Sequence, residues 1–434
     1  MKNYLSILIT ATLVISGRIL SAQPKAANHI NAGFQMKSVK AVSMDNYDAF
    51  KKSIQPLIKT MGAKQIIGLG EGTHGTADFY KVRFWISRIL VEEKGFNHIA
   101  FENDYSDCWL LNKQLNTNAN LDSLMKKHML SIWQNQETKE LLQWVKGYNA
   151  VHDKKVTIDG IDYVFIRPDV EVLKQLLVGT PATNLIDTLP KIAKAAALQD
   201  DGWVATNDPA SKFNFESIDK SSYEGYLAAE KLDKLITSAD LDATAKARAH
   251  LAILNIEQAF GPFYSEFTKT PEASRDSDMA YNASLIMKAP GAKMIIWAHN
   301  AHLAKTGIYN NEVGGTGGKI LKMFSNNYFV LGTGTANGTF AGTKEPRDTY
   351  TNPMIANALE KPIAGSWEEV FSGMASPAFY METGLFNPQK ISKQIRFIGY
   401  GIDSGIKTYD KTNLSDLYDA FLFVKDTHAA TPLK

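Results

Sequence analysis

Cysteine is almost absent from this sequence of 434 residues, and so is any excess of charge of one sign. The single cysteine, Cys108, excludes an intrachain disulfide framework and a metal site built from several thiolates. Lys and Arg number 47 against 45 Asp and Glu, so the net charge is only +2, and there is no basic block. We therefore expect no nucleic-acid partner, because such binding depends on neutralising many phosphates.

Long hydrophobic runs are also missing, except for a short one near the N-terminus. Lys2 precedes an apolar run over residues 4–17, and the small residues Ser21 and Ala22 follow. This pattern predicts a secretory signal peptide over residues 1–22, with an uncleaved N-terminal anchor as the alternative. We expect a periplasmic or secreted protein with no stable membrane association once the signal peptide is removed.

The remaining composition is typical of a globular protein, with 44% hydrophobic and 21% charged residues. A glycine-bounded apolar run at residues 65–69 is followed by an amphipathic helix that ends at Lys94-Gly95, and then by a strand at 98–101. This order predicts a βαβ unit with parallel pairing. Further strands are expected at 155–160, 293–297, 328–331, 395–399 and 420–424, and further helices at 44–61, 138–148 and 273–287. The pattern indicates an α/β fold with a largely parallel sheet and flanking helices.

The stretch from about residue 169 to residue 269 is nearly all helix-like, with Ala-rich and Leu-rich segments and few β-branched runs. We interpret it as part of a helical insertion, over about residues 169–290, within one catalytic domain of residues 40–430. Such an insertion could act as a lid over the sheet.

Side chains able to carry chemistry follow four of the predicted strands. They are Glu71 and His74 after the first, Glu102 after the second, Asp162 after the third, and His299, Asn300 and His302 after the fourth. In an open parallel sheet the carboxyl ends of the strands face one crevice, where ligands bind. The sequence therefore predicts one cleft lined by these residues.

Glu71 and His74 form the most informative pair, because they lie three residues apart in a glycine-rich loop. A histidine can accept a proton from water at neutral pH, and a neighbouring carboxylate can fix its tautomer. The alternative is a histidine that caps the helix or binds a buried carbonyl. Arg83 lies at the edge of the apolar face of the next helix, where Glu71 or Glu102 could partner it, or it could be an exposed arginine.

Two other kinds of site fit parts of this pattern. Gly70-x-Gly72-x-x-Gly75 satisfies the dinucleotide-binding pattern, although Glu71 would place a negative charge against a pyrophosphate. Residues with the ligand types for a divalent cation are His74, Glu102, Asp162, His299 and His302, yet none of their spacings is a zinc motif. Serine catalysis is not indicated, since no Gly-x-Ser-x-Gly elbow is present.

Together these residues resemble the erythromycin esterase family. The matching pieces run in order from about residue 45 to residue 430. They are residues 68–75, Arg83, residues 101–102, Gly160 with Asp162, Arg275-Asp276 with Met279 and Asn282, residues 297–302, and residues 418–420.

The resemblance implies a hydrolase that opens a macrolactone ester with water, without a covalent enzyme intermediate and without a required metal or other cofactor. It implies that His74 is the general base, and that Glu71 and Glu102 orient the water and the histidine. Arg83, His299 and His302 would hold the ester carbonyl and protonate the leaving alkoxide. Asn300, Asp162 and Arg275 are expected to bind substrate or to support the site.

The expected partner is thus a small-molecule ester. The antibiotic-resistance members of the family act in the cytoplasm, whereas this chain is predicted to be exported, so the resemblance indicates the site more firmly than the substrate. Three alternatives stay open: a metal-dependent hydrolase that uses the same residues, an exported binding protein without activity, and a dinucleotide-dependent oxidoreductase.

Overall fold

The computed structural model describes residues 39–205, 210–345, 349–386 and 391–433. The predicted signal peptide lies outside this part of the chain. Within it, no helix combines the length and the apolar character needed to cross a membrane.

A large sheet forms the centre of the protein. The strands in chain order are β1 (Lys40–Ala41), β2 (Ile66–Glu71), β3 (His98–Asp104), β4 (Thr157–Asp162), β5 (Met294–His299), β6 (Tyr328–Gly334), β7 (Asn337–Gly342), β8 (Ile355–Ala358), β9 (Ala378–Glu382), β10 (Lys393–Arg396), β11 (Tyr409–Thr412), β12 (Ala420–Val424) and β13 (Asp426–Thr427). Eight of them build the central sheet in the order β1–β9–β12–β6–β2–β5–β3–β4. The six strands from β12 to β4 are mutually parallel, and β9 is antiparallel to both of its neighbours. The predicted α/β fold with a largely parallel sheet is confirmed.

Helices flank this sheet. They are α1 (Tyr47–Gly62), α2 (Ala77–Lys94), α3 (Tyr105–Leu115), α4 (Leu121–His128), α5 (Gln136–Val151), α6 (Arg167–Leu177), α7 (Leu189–Ala205), α8 (Glu216–Ser238), α9 (Ala243–Thr268), α10 (Arg275–Ile286), α11 (Asn300–Leu303), α12 (Thr316–Phe324), α13 (Trp367–Ser372) and α14 (Leu414–Leu417). Because helices cover both faces, β2, β5 and β6 are buried throughout, which explains their continuous apolar runs. Helix α2 ends where Gly95 adopts φ 71°, a left-handed conformation that glycine tolerates.

The predicted βαβ unit differs from the structure in one respect. Strands β2 and β3 are parallel, as expected, but they are not neighbours, because β5 lies between them. Ile67 and Ile99 both pair with Ile295 of β5, from opposite sides. A buried apolar strand can accept partners on both edges, so local sequence does not reveal which strand inserts there.

The strand predicted at residues 395–399 is also placed differently. It forms β10, which pairs with β11 in a separate antiparallel hairpin. Beyond β10 the chain runs beside the loop after β2: Ile398 donates its N–H to the Gly72 carbonyl at 2.9 Å and accepts from the His74 N–H at 3.0 Å. The hairpin therefore braces the loop that carries His74.

The chain between β4 and β5, where the helical insertion is predicted over about residues 169–290, forms a four-helix bundle, α6–α9, that ends at Thr268. It has its own apolar core, which includes Leu173, Ile192, Leu232 and Ile253, and it packs on α3 through Leu110. Helix α10 then returns the chain to β4. A lid action of this bundle stays a prediction.

Candidate active site

The carboxyl ends of β2, β3, β4 and β5 bring together Glu71, Glu102, Asp162 and His299, as the sequence predicts. Each of these residues is buried at the edge of the sheet. The order of the strands, with β5 between β2 and β3, places His299 between the two glutamates. The surrounding loops and helices add the remaining side chains.

Glu71 joins His74 to Arg83. One carboxylate oxygen of Glu71 lies 2.8 Å from Nδ1 of His74, and the other accepts from Nη2 of Arg83 at 2.9 Å. Glu71 is fully buried and His74 is 7% exposed. Since a carboxylate accepts hydrogen bonds, Nδ1 of His74 is the donor in this contact, which leaves Nε2 as the ring nitrogen that can accept a proton.

Arg83 is enclosed by aromatic rings. Its guanidinium carbon lies 4.6 Å from the centre of the Trp297 ring, 4.7 Å from that of Tyr80 and 5.3 Å from that of Trp133. The residue is 1% exposed, so the alternative of an exposed arginine is wrong. The same burial leaves Arg83 no surface for an ester carbonyl, which differs from the role that the resemblance implies. Its structural role is to neutralise Glu71.

The glycine loop after β2 does not fit a dinucleotide. A Cβ atom on Gly70 would lie 2.2 Å from Oδ1 of Asn300, and one on Gly75, where φ is +66°, would lie 2.0 Å from the Ala341 carbonyl oxygen. These glycines make room for the protein's own side chains and backbone. The loop therefore lacks the open cradle of backbone N–H groups that a pyrophosphate needs.

The Asn300 side chain packs against Gly70 and Gly72 of this loop. Its Nδ2 donates to the Thr333 carbonyl at 2.7 Å, and its Oδ1 accepts from the Thr333 N–H at 3.2 Å. It is fully buried. Asn300 thus fastens the end of β5 to β6 across β2, which is a supporting position.

Glu102 is the centre of a second group of charges. One of its oxygens accepts from the backbone N–H of His299 at 2.8 Å. The other lies 3.2 Å from Nε2 of His302 and 3.3 Å from Nη2 of Arg275. Arg275 also grips Asp162 with two hydrogen bonds, from Nε at 3.0 Å and from Nη2. Asp162, which the sequence places in the predicted cleft, and Arg275 therefore belong to one cluster.

Asp276 completes this group. Its Oδ1 lies 2.8 Å from Nδ1 of His302 and accepts from the Thr316 hydroxyl at 2.6 Å, and its Oδ2 accepts from the Gly314 N–H at 3.2 Å. The position of Asp276 at the start of a helix does not by itself predict a site residue. Two features of the sequence could have indicated one: Asp276 is adjacent to Arg275, and a glycine-rich run follows at residues 314–318.

The charges in this group shift the pKa values of Glu102 and His302 in opposite directions. Burial would raise the pKa of Glu102, but the charges of His302 and Arg275 lower it to about 2. Burial would lower the pKa of His302, but Glu102 and Asp276 raise it to about 9. His302 is therefore an imidazolium at neutral pH.

His299 has the opposite environment. Burial, together with the neighbouring His74, holds the pKa of His299 well below its usual value. Its Nδ1 accepts from the Ala301 N–H at 3.3 Å, so the ring proton of this neutral histidine lies on Nε2. The His74 and His299 rings are neighbours, with 4.8 Å between their centres.

The metal alternative finds no ready site in the described residues. Among them, no three His, Cys, Asp or Glu side chains are arranged as ligands of one ion. The carboxylates instead take hydrogen bonds from histidine and arginine, as the contacts of Glu71, Glu102 and Asp162 show.

Comparison with known proteins is consistent with this architecture. The family model for erythromycin esterase matches residues 91–427. The erythromycin esterase type II of Escherichia coli is 24% identical over 361 residues, which cover 76% of this chain and 82% of that protein.

Solved structures share the fold. A Bacillus cereus protein superimposes with a TM-score of 0.74 at 18% identity, over 92% of this chain and 97% of its own. A mutant of the erythromycin esterase EreC in its open conformation gives a TM-score of 0.64 at 18% identity, over 89% of this chain and 95% of its own.

Fold and site together define an α/β protein with buried histidine–carboxylate pairs at the carboxyl edge of a parallel sheet. The chain belongs to the erythromycin esterase family, since the family model covers most of its length. This membership indicates a hydrolase.

Proposed function

We propose that this protein hydrolyses an ester with a water molecule activated by His74. The observation that carries the proposal is the buried series Arg83–Glu71–His74, with 2.9 Å and 2.8 Å contacts. Arg83 donates to Glu71, and Glu71 accepts from Nδ1 of His74, which favours the tautomer with its proton on Nδ1. The lone pair on Nε2 is then available to take a proton from water.

Positive charge for the ester oxygen is supplied by the second group. His302 is protonated at neutral pH, since its pKa is raised to about 9 by Glu102 and Asp276 against the effect of burial. Unlike Arg83, Arg275 is accessible to a ligand, because its side chain is 35% exposed. In the proposed reaction these two cations stabilise the oxyanion that forms when water adds to the carbonyl carbon.

The proposed step balances without a covalent enzyme intermediate. Water oxygen bonds to the carbonyl carbon while His74 takes a proton, and the tetrahedral intermediate then expels the alkoxide. The alkoxide takes the proton that His74 removed from water, so His74 is regenerated and the products are an acid and an alcohol. A macrolactone is the substrate class we propose, because two relatives from Escherichia coli carry the name erythromycin esterase. The predicted signal peptide supports a periplasmic or secreted location.

Mass spectrometry of erythromycin incubated with the purified protein tests this proposal. We expect the wild type to add one water, and His74→Ala to add none. His98→Ala is the matched control, because His98 makes the same 2.8 Å contact from Nδ1 to a carboxylate, that of Asp159, but begins β3 at the opposite end of the sheet.

Each other outcome changes the proposal in a defined way. Undiminished turnover by His74→Ala would overturn the role of the base. Turnover that a chelator abolishes and a divalent cation restores would favour a metal-dependent hydrolase. Binding of esters without turnover of any ester tested would favour a binding protein.

A further inference from the structure

Asn282 lies on the same helix as Arg275, two turns further along, outside the cluster described above. Seven residues make about two turns, so both side chains share one face of α10. Arg275 binds Asp162 on that face, and Nδ2 of Asn282 donates to the Ile161 carbonyl at 3.0 Å. Helix α10 is therefore attached at two points to the last two residues of β4.

Asn282 also pairs with Gln258 of the helical bundle. Gln258 Nε2 donates to Asn282 Oδ1 at 3.1 Å, and Asn282 Nδ2 donates to Gln258 Oε1 at 3.0 Å. Both residues are buried. The Ile161 carbonyl can only accept, so the Asn282 amide has a single orientation that satisfies all three hydrogen bonds.

The polar contacts continue through the bundle. Asn255, one turn before Gln258 on α9, donates to Oδ1 of Asp169 at 3.3 Å, and the Ser106 hydroxyl donates to the same oxygen. We call the five buried residues Ser106, Asp169, Asn255, Gln258 and Asn282 the amide ladder. It connects α3, α6 and α9 to α10, the helix that carries Arg275 and Asp276.

We propose that Asn282 is a positioning residue for Arg275 and Asp276. Through the amide ladder, the position of these two side chains depends on the helical bundle. A buried amide left without its hydrogen-bond partner is destabilising, so the reciprocal pair favours one position of α10 along α9. The activity arm of the test rests on the proposed function, whereas the contacts themselves do not.

Three variants separate positioning from stability. Asn282→Leu leaves Gln258 and the Ile161 carbonyl unpaired, so we expect a lower Tm and a kcat reduced about 10- to 100-fold. Adding Gln258→Leu removes the second unpaired amide, so Tm should largely recover while kcat stays low. Exchanging the pair, Asn282→Gln with Gln258→Asn, retains both amides and should restore kcat above the leucine double variant.

Gln199→Leu is the matched control. Gln199 donates to the Ser222 hydroxyl at 3.0 Å, also buried, but it joins α7 to α8 and does not reach α10. We expect this variant to lower Tm while kcat and KM stay unchanged. If Gln199→Leu and Asn282→Leu reduce kcat equally, the effect is one of stability and the proposal is overturned.

NMR titration of His302 in histidine-labelled protein gives a readout that needs no turnover. The charged and titratable groups around His302 are Glu102 on β3, Asp276 and Arg275 on α10, His299, and His74 in the loop after β2. Displacement of α10 moves Asp276 away, so Asn282→Leu should lower the His302 pKa towards its ordinary 6.5, and Gln199→Leu should not.

The two arms distinguish the possible failures. An unchanged His302 titration in Asn282→Leu overturns the positioning proposal, whatever the activity. If no ester is hydrolysed by any variant but the titration shifts, the proposed function fails and the positioning of Asp276 by Asn282 stands.

Discussion

His74 and His302 make the same first contact and differ in the second. Each has Nδ1 at 2.8 Å from a carboxylate, that of Glu71 and that of Asp276 respectively. Nε2 of His302 meets a second carboxylate, Glu102, at 3.2 Å, whereas no described residue forms a hydrogen bond with Nε2 of His74. One ring is thus left with an acceptor nitrogen, and the other is held as a cation. The second partner decides which chemistry a histidine–carboxylate pair performs.

The largest expected effect comes from changing the first partner of His74. Glu71→Gln offers His74 an amide that can donate to Nδ1, which shifts the ring proton to Nε2, so we expect kcat/KM for the ester to fall about 10³-fold at pH 7. Glu92→Gln is the control, because Glu92 accepts from Arg88 at 2.8 Å on the surface. A Glu71→Gln rate close to that of wild type would show that His74 needs no fixed tautomer.

Next in size is the loss of the cation behind Glu71. Arg83→Met leaves a fully buried carboxylate without a counterion, so we expect the free energy of unfolding to fall by about 3–5 kcal/mol in urea denaturation at pH 7. Arg88→Met removes the half-buried partner of Glu92 and should cost less than about 1 kcal/mol. Equal losses in the two variants would mean that burial of the Arg83–Glu71 pair has no special energetic weight.

The smallest effect concerns the second group. The His302 pKa rises from 6.5 to about 9 on folding, so its stabilising contribution is complete below pH 6.5 and is lost as pH rises through 9. This shift is worth about 3 kcal/mol at 1.36 kcal/mol for each pH unit. Asp276→Asn removes one of the two carboxylates, and the stability difference between pH 6 and pH 9.5 in urea denaturation should shrink.

Glu92→Gln provides the control, because it also removes one carboxylate from a pair, but the partner of Glu92 is Arg88 and not a histidine. We expect the stability difference between the two pH values to match that of wild type. Equal slopes in wild type and Asp276→Asn would show that Asp276 does not raise the His302 pKa.

Local sequence predicts much of the sheet and of the site. Buried strands such as residues 420–424 and amphipathic helices such as α2 follow from apolar spacing. Residues at strand ends follow from the rule that ligands bind at the carboxyl edge. Their positions after predicted strands therefore place four residues in one region: His74, Glu102, Asp162 and His302.

The pairing of distant segments could not be predicted in the same way. Strand β5 inserts between β2 and β3, and Ile398 pairs beside His74, because these contacts depend on which distant edges fit. Asp276 was not predicted as a site residue for a similar reason. The Thr316 hydroxyl and the Gly314 N–H hold the Asp276 carboxylate in place, and both donors lie about 40 residues further along the chain. The spacing of apolar residues predicts which side chains are buried, but it does not predict which distant strands or side chains they contact.

The place of β5 in the sheet has a consequence for the nascent chain. Both edges of β5 are occupied by strands that precede it by the whole helical bundle. During synthesis, β2 and β3 leave the ribosome long before Met294–His299, with their facing edges unsatisfied. Such edges attract other strands, so chains interrupted before residue 294 should associate with one another, whereas chains that extend past residue 299 can close the sheet.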